Sequence, residues 1–197
     1  MIDFLKEIDA SILIAINSFG NPHLNEIMWF LTNKFTWFPF YLFLFIIVYL
    51  KSNLKQFIAF TLIGFITIGL ADFTASKGLK NNVKRYRPSH HLELQNQLNF
   101  YETKPGEHYK GGQYGFVSGH ATNSFAIALF FGLFLKRRFK YALHLLLFWA
   151  VLVSYTRLYL GVHYPSDILG GCILGLGISY LCFQFYLKVE KKITPNN

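Results

Sequence analysis

The sequence predicts an all-α fold: a polytopic membrane helical bundle of about five transmembrane helices, preceded by one or two interfacial helices. Three observations lead there. The chain is 53% hydrophobic and 19% aromatic but only 15% charged, whereas soluble domains average about 25% charged. Its apolar residues gather in runs near the ~20 residues that cross a bilayer. Its polar clusters fall in the connections between those runs. At 197 residues the chain is long enough for one domain, spanning 1–197.

Residues 2–17 mix Asp3, Lys6, Glu7 and Asp9 with Phe4, Leu5, Ile8, Ile12 and Leu13. Apolar positions 4, 5, 8 and 12 recur at helical spacing. Asn21-Pro22 breaks the chain, and Leu24–Leu31 forms a second short amphipathic piece. Residues 1–32 are therefore expected to lie at the membrane interface. A short sixth span centred on Ser11–Phe19 is the alternative. The charges at Asp3, Lys6 and Glu7, and the lack of a small-residue cleavage site, do not fit a cleavable signal peptide.

The transmembrane core is expected over 33–187. Its first span is Trp37–Leu50, extended backward by Phe30–Phe35. The second is Phe57–Phe73, and the third runs from about Ala121 to Leu135. The fourth is Tyr141–Leu160 and the fifth Ile168–Leu187. Polar Thr122, Asn123 and Ser124 extend the third span, which is tolerable where they face a site or water. Cys172 and Cys182 fall in the fifth span, about 15 Å apart along a helix. That is too far for a disulfide, and both are read as packing residues.

Residues 77–115 form the long polar segment, expected as an extracytoplasmic loop. The connections at Lys51–Lys55 and Lys136–Lys140 and the tail from Lys188 hold nine of the nineteen Lys and Arg but only one acid, Glu190. Short basic connections mark the cytoplasmic side, which puts the long loop outside. The net charge of +9 suits anionic lipid heads or an anionic substrate. Nucleic acid does not fit, because the apolar runs leave no soluble basic face.

Three polar clusters arrive at span ends on the outer side. They are Lys80 to Arg87-Pro88; Val117-Ser118-Gly119-His120; and Thr156-Arg157, His163 and Asp167. Spans two and four run outward, and spans three and five begin where they end, so connectivity alone brings the clusters to one face. Lys80, Arg87 and Arg157 supply three cations for a phosphate, with guanidinium forks matched to its oxygens. Ser118 and Gly119 open the third span, where free N–H groups favour an anion. Asp167, four residues after His163, orients the imidazole and stabilises its positive charge. This makes His163 the nucleophile and His120 the general acid. No metal or cofactor is called for.

The order Lys, six residues, Arg-Pro; Ser-Gly-His; then Arg, five residues, His, three residues, Asp resembles the type 2 phosphatidic acid phosphatase superfamily. The resemblance extends from about residue 20 to 187. It implies a helical core with a phosphate pocket at the outer face and metal-independent hydrolysis through a phosphohistidine on His163. It further implies that His120 is the acid and that Lys80, Arg87, Ser118, Gly119 and Arg157 hold phosphate. Val117 stands where the family has proline, and Thr156 where it has serine; neither change removes a reacting group. The implied setting is a bacterial inner membrane, and the implied substrate a membrane lipid phosphate or pyrophosphate. Phosphatidylglycerol phosphate, phosphatidic acid, undecaprenyl pyrophosphate and lipid A all fit. The sequence does not speak to oligomeric state.

Other readings compete residue by residue. Basic residues at span ends also serve as interfacial anchors, and a His near an Asp is often a structural pair. His90, His91, Glu93 and His108 raise a metal site, but their irregular spacing favours loop or headgroup contacts. His144 reads as structural. Asp72, inside the second span, either supports the site or pairs with a neighbouring helix. At the level of function, a phosphotransferase would pass the phosphoryl group to a lipid or sugar hydroxyl. A non-catalytic binder or transporter would bind without turnover, and a vanadate-dependent peroxidase would be soluble.

Overall fold

The computed structural model describes residues 2–194. Met1, the Asp3 side chain and residues 195–197, parts of the expected 1–197 domain, lie outside the described residues. The helices are α1 (Ile2–Asn17), α2 (Pro22–Thr32), α3 (Phe38–Leu50), α4 (Leu54–Phe73), α5 (Lys80–Val83), α6 (Gly119–Leu135), α7 (Ala142–Tyr159) and α8 (Pro165–Ile193). Their starts follow from local chemistry. Asn21 Oδ1 accepts from Leu24 N (3.0 Å), with Pro22 in the first turn of α2. Asn53 and Gln56 cap α4 reciprocally. Ser118 caps α6, and Pro165 begins α8 with the φ a first turn requires.

The fold inverts the usual distribution of polarity. Leu62, Phe65 and Ile66 on α4, Leu145 and Phe148 on α7, and Ile173 and Leu181 on α8 are all exposed. A belt of this kind on the outer faces of a bundle marks a lipid-facing surface. Three segments are long and apolar enough to cross a membrane: Leu54–Val83, Ala142–Tyr159 and Pro165–Ile193. A fourth is added if the bent pair Pro22–Thr32 and Lys34–Leu50 is one span. α6 is a shorter apolar helix. It is also the centre of the bundle, with 12 of its 17 residues buried against α4, α7 and α8. It has little lipid-facing surface, so no apolar stripe has to distinguish one of its faces.

Three expectations are corrected. Residues 30–35 do not extend the first span as a continuous helix. The chain breaks at Asn33 and turns by 63°, because the Asn33 side chain accepts from Phe35 N and starts a new helical turn over Lys34–Trp37. The second span does not end at Phe73. It continues through a π-helical stretch, Thr74–Leu79, and through α5, stopping only at Lys84, whose φ is 50°. Part of the expected 77–115 loop is therefore helix. The rest carries a small hairpin, β1 (Glu102–Lys104) with β2 (Glu107–His108), which an all-α reading omits.

Small residues let α8 approach α6. Gly171, Gly175 and Ser179 repeat every four residues on α8, and all three are buried. A Cβ on Gly171 would lie 2.7 Å from the Ser118 carbonyl, and one on Gly175 would collide with the Thr122 carbonyl. In lipid, where water does not drive helices together, such close packing is a main source of helix association. Gly175→Val should cost about 1–3 kcal/mol through overpacking. It should appear as a lowered Tm in detergent, while Gly177→Ala, where nothing lies within 4 Å, should not change it.

Candidate active site

The basic connections expected on one side do gather at one end of the bundle: Arg137 pairs with Glu190 (2.9 Å), with Lys51 and Arg138 around the same cleft. The three motifs meet at the other end. The structure brings Lys80, Arg87, Gly119, His120 and Arg157 around one cavity of about 320 Å³. Ser118, His163 and Asp167 do not line this cavity, and each is almost fully buried.

Asp167 is the most heavily engaged side chain. Its Oδ2 faces His163 Nδ1 at 3.2 Å and accepts from Tyr164 N at 3.1 Å. Its Oδ1 accepts from Arg85 Nη1 at 2.9 Å. Its backbone carbonyl accepts from Ser118 N at 3.0 Å, joining the second motif to the third. Arg85 extends the network: its Nη2 donates to Asp9 Oδ2 at 2.7 Å, and its guanidinium lies over the Tyr164 ring. Asp9 in turn accepts from Ser166 N at 2.9 Å and from the Ser166 hydroxyl. The amphipathic helix α1 is thus tied to the site by ionic hydrogen bonds.

Arg87 and Arg157 are held by neutral groups. Arg87 Nε donates to the Tyr114 carbonyl at 3.1 Å. Arg157 donates through Nη1 to Thr32 Oγ1 (2.5 Å) and through Nη2 to Tyr109 Oη (2.9 Å), while its buried Nε has no partner. Lys80 Nζ would be 3.7 Å from a Cβ at Gly119. Among the described residues, none of Lys80, Arg87 and Arg157 forms an ion pair within 4.0 Å, although Arg87 and Arg157 are 7% and 1% exposed. Buried charge without a counter-charge is costly, and an anion in the cavity relieves that cost. Burial and the nearby Arg157 guanidinium push Arg87 down to about 10, so it stays cationic at neutral pH.

His163 experiences the same field. Burial, reinforced by Arg87, Arg157, Lys80 and His120, holds it well below the usual imidazole value of 6.5. With Nδ1 against Asp167, its Nε2 is the unengaged ring nitrogen. His120 Nε2 lies 3.2 Å from the Thr32 carbonyl. Ser118 Oγ accepts from Ala121 N at 3.4 Å as the cap of α6, a bond that does not use its O–H.

Several residues of this end are not evident from the motifs. Arg85 lies between two expected ligands yet points to the carboxylates. Thr32, at the break before Asn33, touches Arg157, Thr156 and His120. Gly111 and Gly115 are glycines for space. A Cβ at Gly111, where φ is 65°, would lie 2.5 Å from Arg87 Nη1, and one at Gly115 would lie 2.7 Å from Asp167 Oδ2. Of the loop histidines, His90 contacts Ser89 Oγ (3.2 Å), while His91 borders a separate cleft beside α1. His108 lies in the hairpin. Among the described residues, no three His, Cys, Asp or Glu side chains converge as a metal-binding group.

Fold and site together place three cations, two of them buried, around a cavity at one end of a bundle with a lipid-facing belt. The model of the PAP2 superfamily matches residues 60–191. A lipid A 4'-phosphatase of Porphyromonas gingivalis is 30% identical over 195 residues, covering 96% of this chain and 78% of that protein. A lipid A 4'-phosphatase of Bacteroides thetaiotaomicron is 34% identical over 175 residues, covering 89% and 75%. The crystal structure of a transmembrane PAP2-type phosphatidylglycerolphosphate phosphatase from Bacillus subtilis superimposes with a TM-score of 0.71 at 25% identity, covering 94% of this chain and 87% of that one. The chain belongs to the PAP2 superfamily and is a membrane phosphatase of that type.

The His163 field carries a pH dependence of stability. Its folded pKa is depressed, so the unfolded chain binds more protons. The contribution is complete above about pH 6.5 and is lost as pH falls toward the folded value. Melting in detergent at about pH 7.5 and pH 5 should show wild type losing more stability than His163→Gln.

Proposed function

We propose that the protein hydrolyses a membrane lipid phosphate or pyrophosphate through a phosphohistidine on His163, without a metal. The observation that carries this reading is the set of three buried or half-buried cations without ion-pair partners, facing a cavity beside the Asp167–His163 pair. They hold the phosphoryl oxygens, with Arg157 Nε free for one more bond. Gly119 and the N-terminal turn of α6 approach from below. Nε2 of His163 attacks phosphorus, and the bond from phosphorus to the leaving oxygen breaks with its electron pair on that oxygen. His120 protonates the leaving oxygen. It then takes a proton from water, whose oxygen attacks the phosphohistidine; the N–P bond breaks, releasing phosphate and neutral His163. The cations stabilise the charge that grows on the equatorial oxygens in both steps.

The substrate's lipid part follows from the rest of the cavity wall, where Trp37, Tyr41, Ile127 and Val153 adjoin the cations. The names of the two lipid A 4'-phosphatases support lipid A as the first substrate to test. We place residues 1–32 at the interface and 33–187 in the transmembrane core, with α3, α4, α6, α7 and α8 as the five spans. The 63° turn at Asn33 supports this, since it lets α2 lie flat while α3 descends. The basic end faces the cytoplasm of a bacterial inner membrane and the cavity faces outward, in keeping with the positive-inside rule.

The test is release of inorganic phosphate by purified enzyme, without an added acceptor, from lipid A, undecaprenyl pyrophosphate, phosphatidylglycerol phosphate and phosphatidic acid. His163→Gln and His120→Gln should each lower kcat by about 1000-fold or more, and a chelator should not change it. Loss of activity with chelator overturns the metal-free mechanism; a requirement for an alcohol acceptor makes the enzyme a phosphotransferase.

Arg85 acts through Asp167 and is a positioning residue. Arg85→Ala should lower kcat about tenfold with little change in KM, and Arg85→Lys should restore part of the loss. An equal loss in both variants, or a change confined to KM, refutes the positioning role.

A further inference from the structure

One acidic side chain lines the cavity, and the reaction above does not use it. Asp72 lies in α4, within a membrane-spanning segment, and an ionisable group there is functional by default. It borders the same cavity as Lys80, His120 and Arg157. Among the described residues it has no ion-pair partner within 4.0 Å and one hydrogen bond, accepted from Asn123 Nδ2 at 3.0 Å. The carboxylate fixes the Asn123 amide orientation, since only the NH2 group can donate to it. Asn123 Oδ1 is then turned elsewhere, and it is buried with no partner. This corner of the cavity therefore presents the free valences of a carboxylate held in place by the Asn123 amide. Each donor that reaches such a carboxylate is worth more than a neutral hydrogen bond.

The depth of this corner matters. Asn123 is five residues along α6 from Ser118, about 7.5 Å below the helix start. A ligand whose phosphate occupies the cation cradle places its next chemical unit here, between phosphate and acyl chains. In phosphatidic acid that unit is a glycerol diester, which has carbonyl acceptors and no donor. In a polyprenyl phosphate it is hydrocarbon. In an acylated amino-sugar lipid it carries amide N–H and hydroxyl groups, which are donors.

We infer that Asp72 and Asn123 form a specificity subsite for a lipid phosphate whose phosphorylated unit is an N-acylated sugar. This rests on the phosphatase reading above and narrows its substrate class. The subsite accepts N–H or O–H bonds from the sugar just below the phosphate. It rejects lipids that bring acceptors or hydrocarbon to the same place, because they leave the Asp72 carboxylate without a donor on binding.

The experiment measures kcat/KM for phosphate release by the full chain in detergent, on two lipids. One is an N-acylated glucosamine lipid phosphate, the other undecaprenyl pyrophosphate. Wild type should favour the sugar lipid. In Asp72→Asn the ratio of the two kcat/KM values should fall about tenfold, as for loss of a hydrogen bond to a charged group. Asp72→Glu, which keeps the carboxylate, should hold the ratio closer to wild type. Asn123→Leu removes the amide that holds the Asp72 carboxylate; it should lower the ratio as well, and it serves if Asp72→Asn does not fold. An unchanged ratio in the folded variants, or no preference in wild type, overturns the subsite, and an equal loss on both lipids makes Asp72 an electrostatic support of the cradle instead. If wild type releases phosphate from neither lipid nor from the others tested above, the phosphatase reading itself fails.

Discussion

The Asp167 carboxylate is the point on which the active end of the molecule depends. It is fully buried, and a buried carboxylate persists only if every oxygen is satisfied. His163, the Tyr164 N–H and Arg85 supply those contacts from three directions. Arg85 is held from its other side by Asp9, which is also anchored by Ser166. Charge therefore alternates along a chain from α1 through the polar loop to the start of α8: negative, positive, negative. Removing a middle member leaves a charge buried alone, which costs more than the pair gains.

That alternation has a consequence for the cations of the cavity. Because Arg85 answers both carboxylates, Asp9 and Asp167 form no ion pair with Lys80, Arg87 or Arg157 among the described residues. Arg87 and Arg157 are held by a carbonyl, hydroxyls and a tyrosine ring, which orient them without neutralising them. The same partition holds the His163 ring in place through Asp167 while burial, reinforced by the cations, lowers its affinity for a proton.

The extent to which this was legible follows a physical rule. The motif residues were readable because connectivity through apolar spans forces them to one face, a topological constraint that needs no packing detail. The end of α4 was not, since the polar stretch at Lys77–Val83 resembles a loop in composition although nothing in it breaks a helix before Lys84. The break at Asn33 was hidden because apolar residues flank it on both sides; its signal is an asparagine able to cap the next turn. Arg85 and Asp9 escaped for a different reason. Their partners lie 82 and 157 residues away, and sequence spacing reports only contacts within a turn or two of helix. The glycines at 111 and 115 were visible as residues but not as spaces, because what they make room for is an arginine and an aspartate from other segments.

The close approach of α6 and α8 unites these features. Gly171 lets α8 pass against the Ser118 carbonyl, and Ser118 N in turn donates to the Asp167 carbonyl. One helix presents its N-terminal turn to the cavity, and the other begins with the carboxylate that holds His163. If larger residues separated the two helices, this link between Ser118 and Asp167 would be strained first. The N-terminal turn of α6 and His163 would then shift relative to one another. Small residues at this crossing therefore set the relative position of the second and third motifs as well as the packing, and they act at a distance from the groups whose alignment they secure.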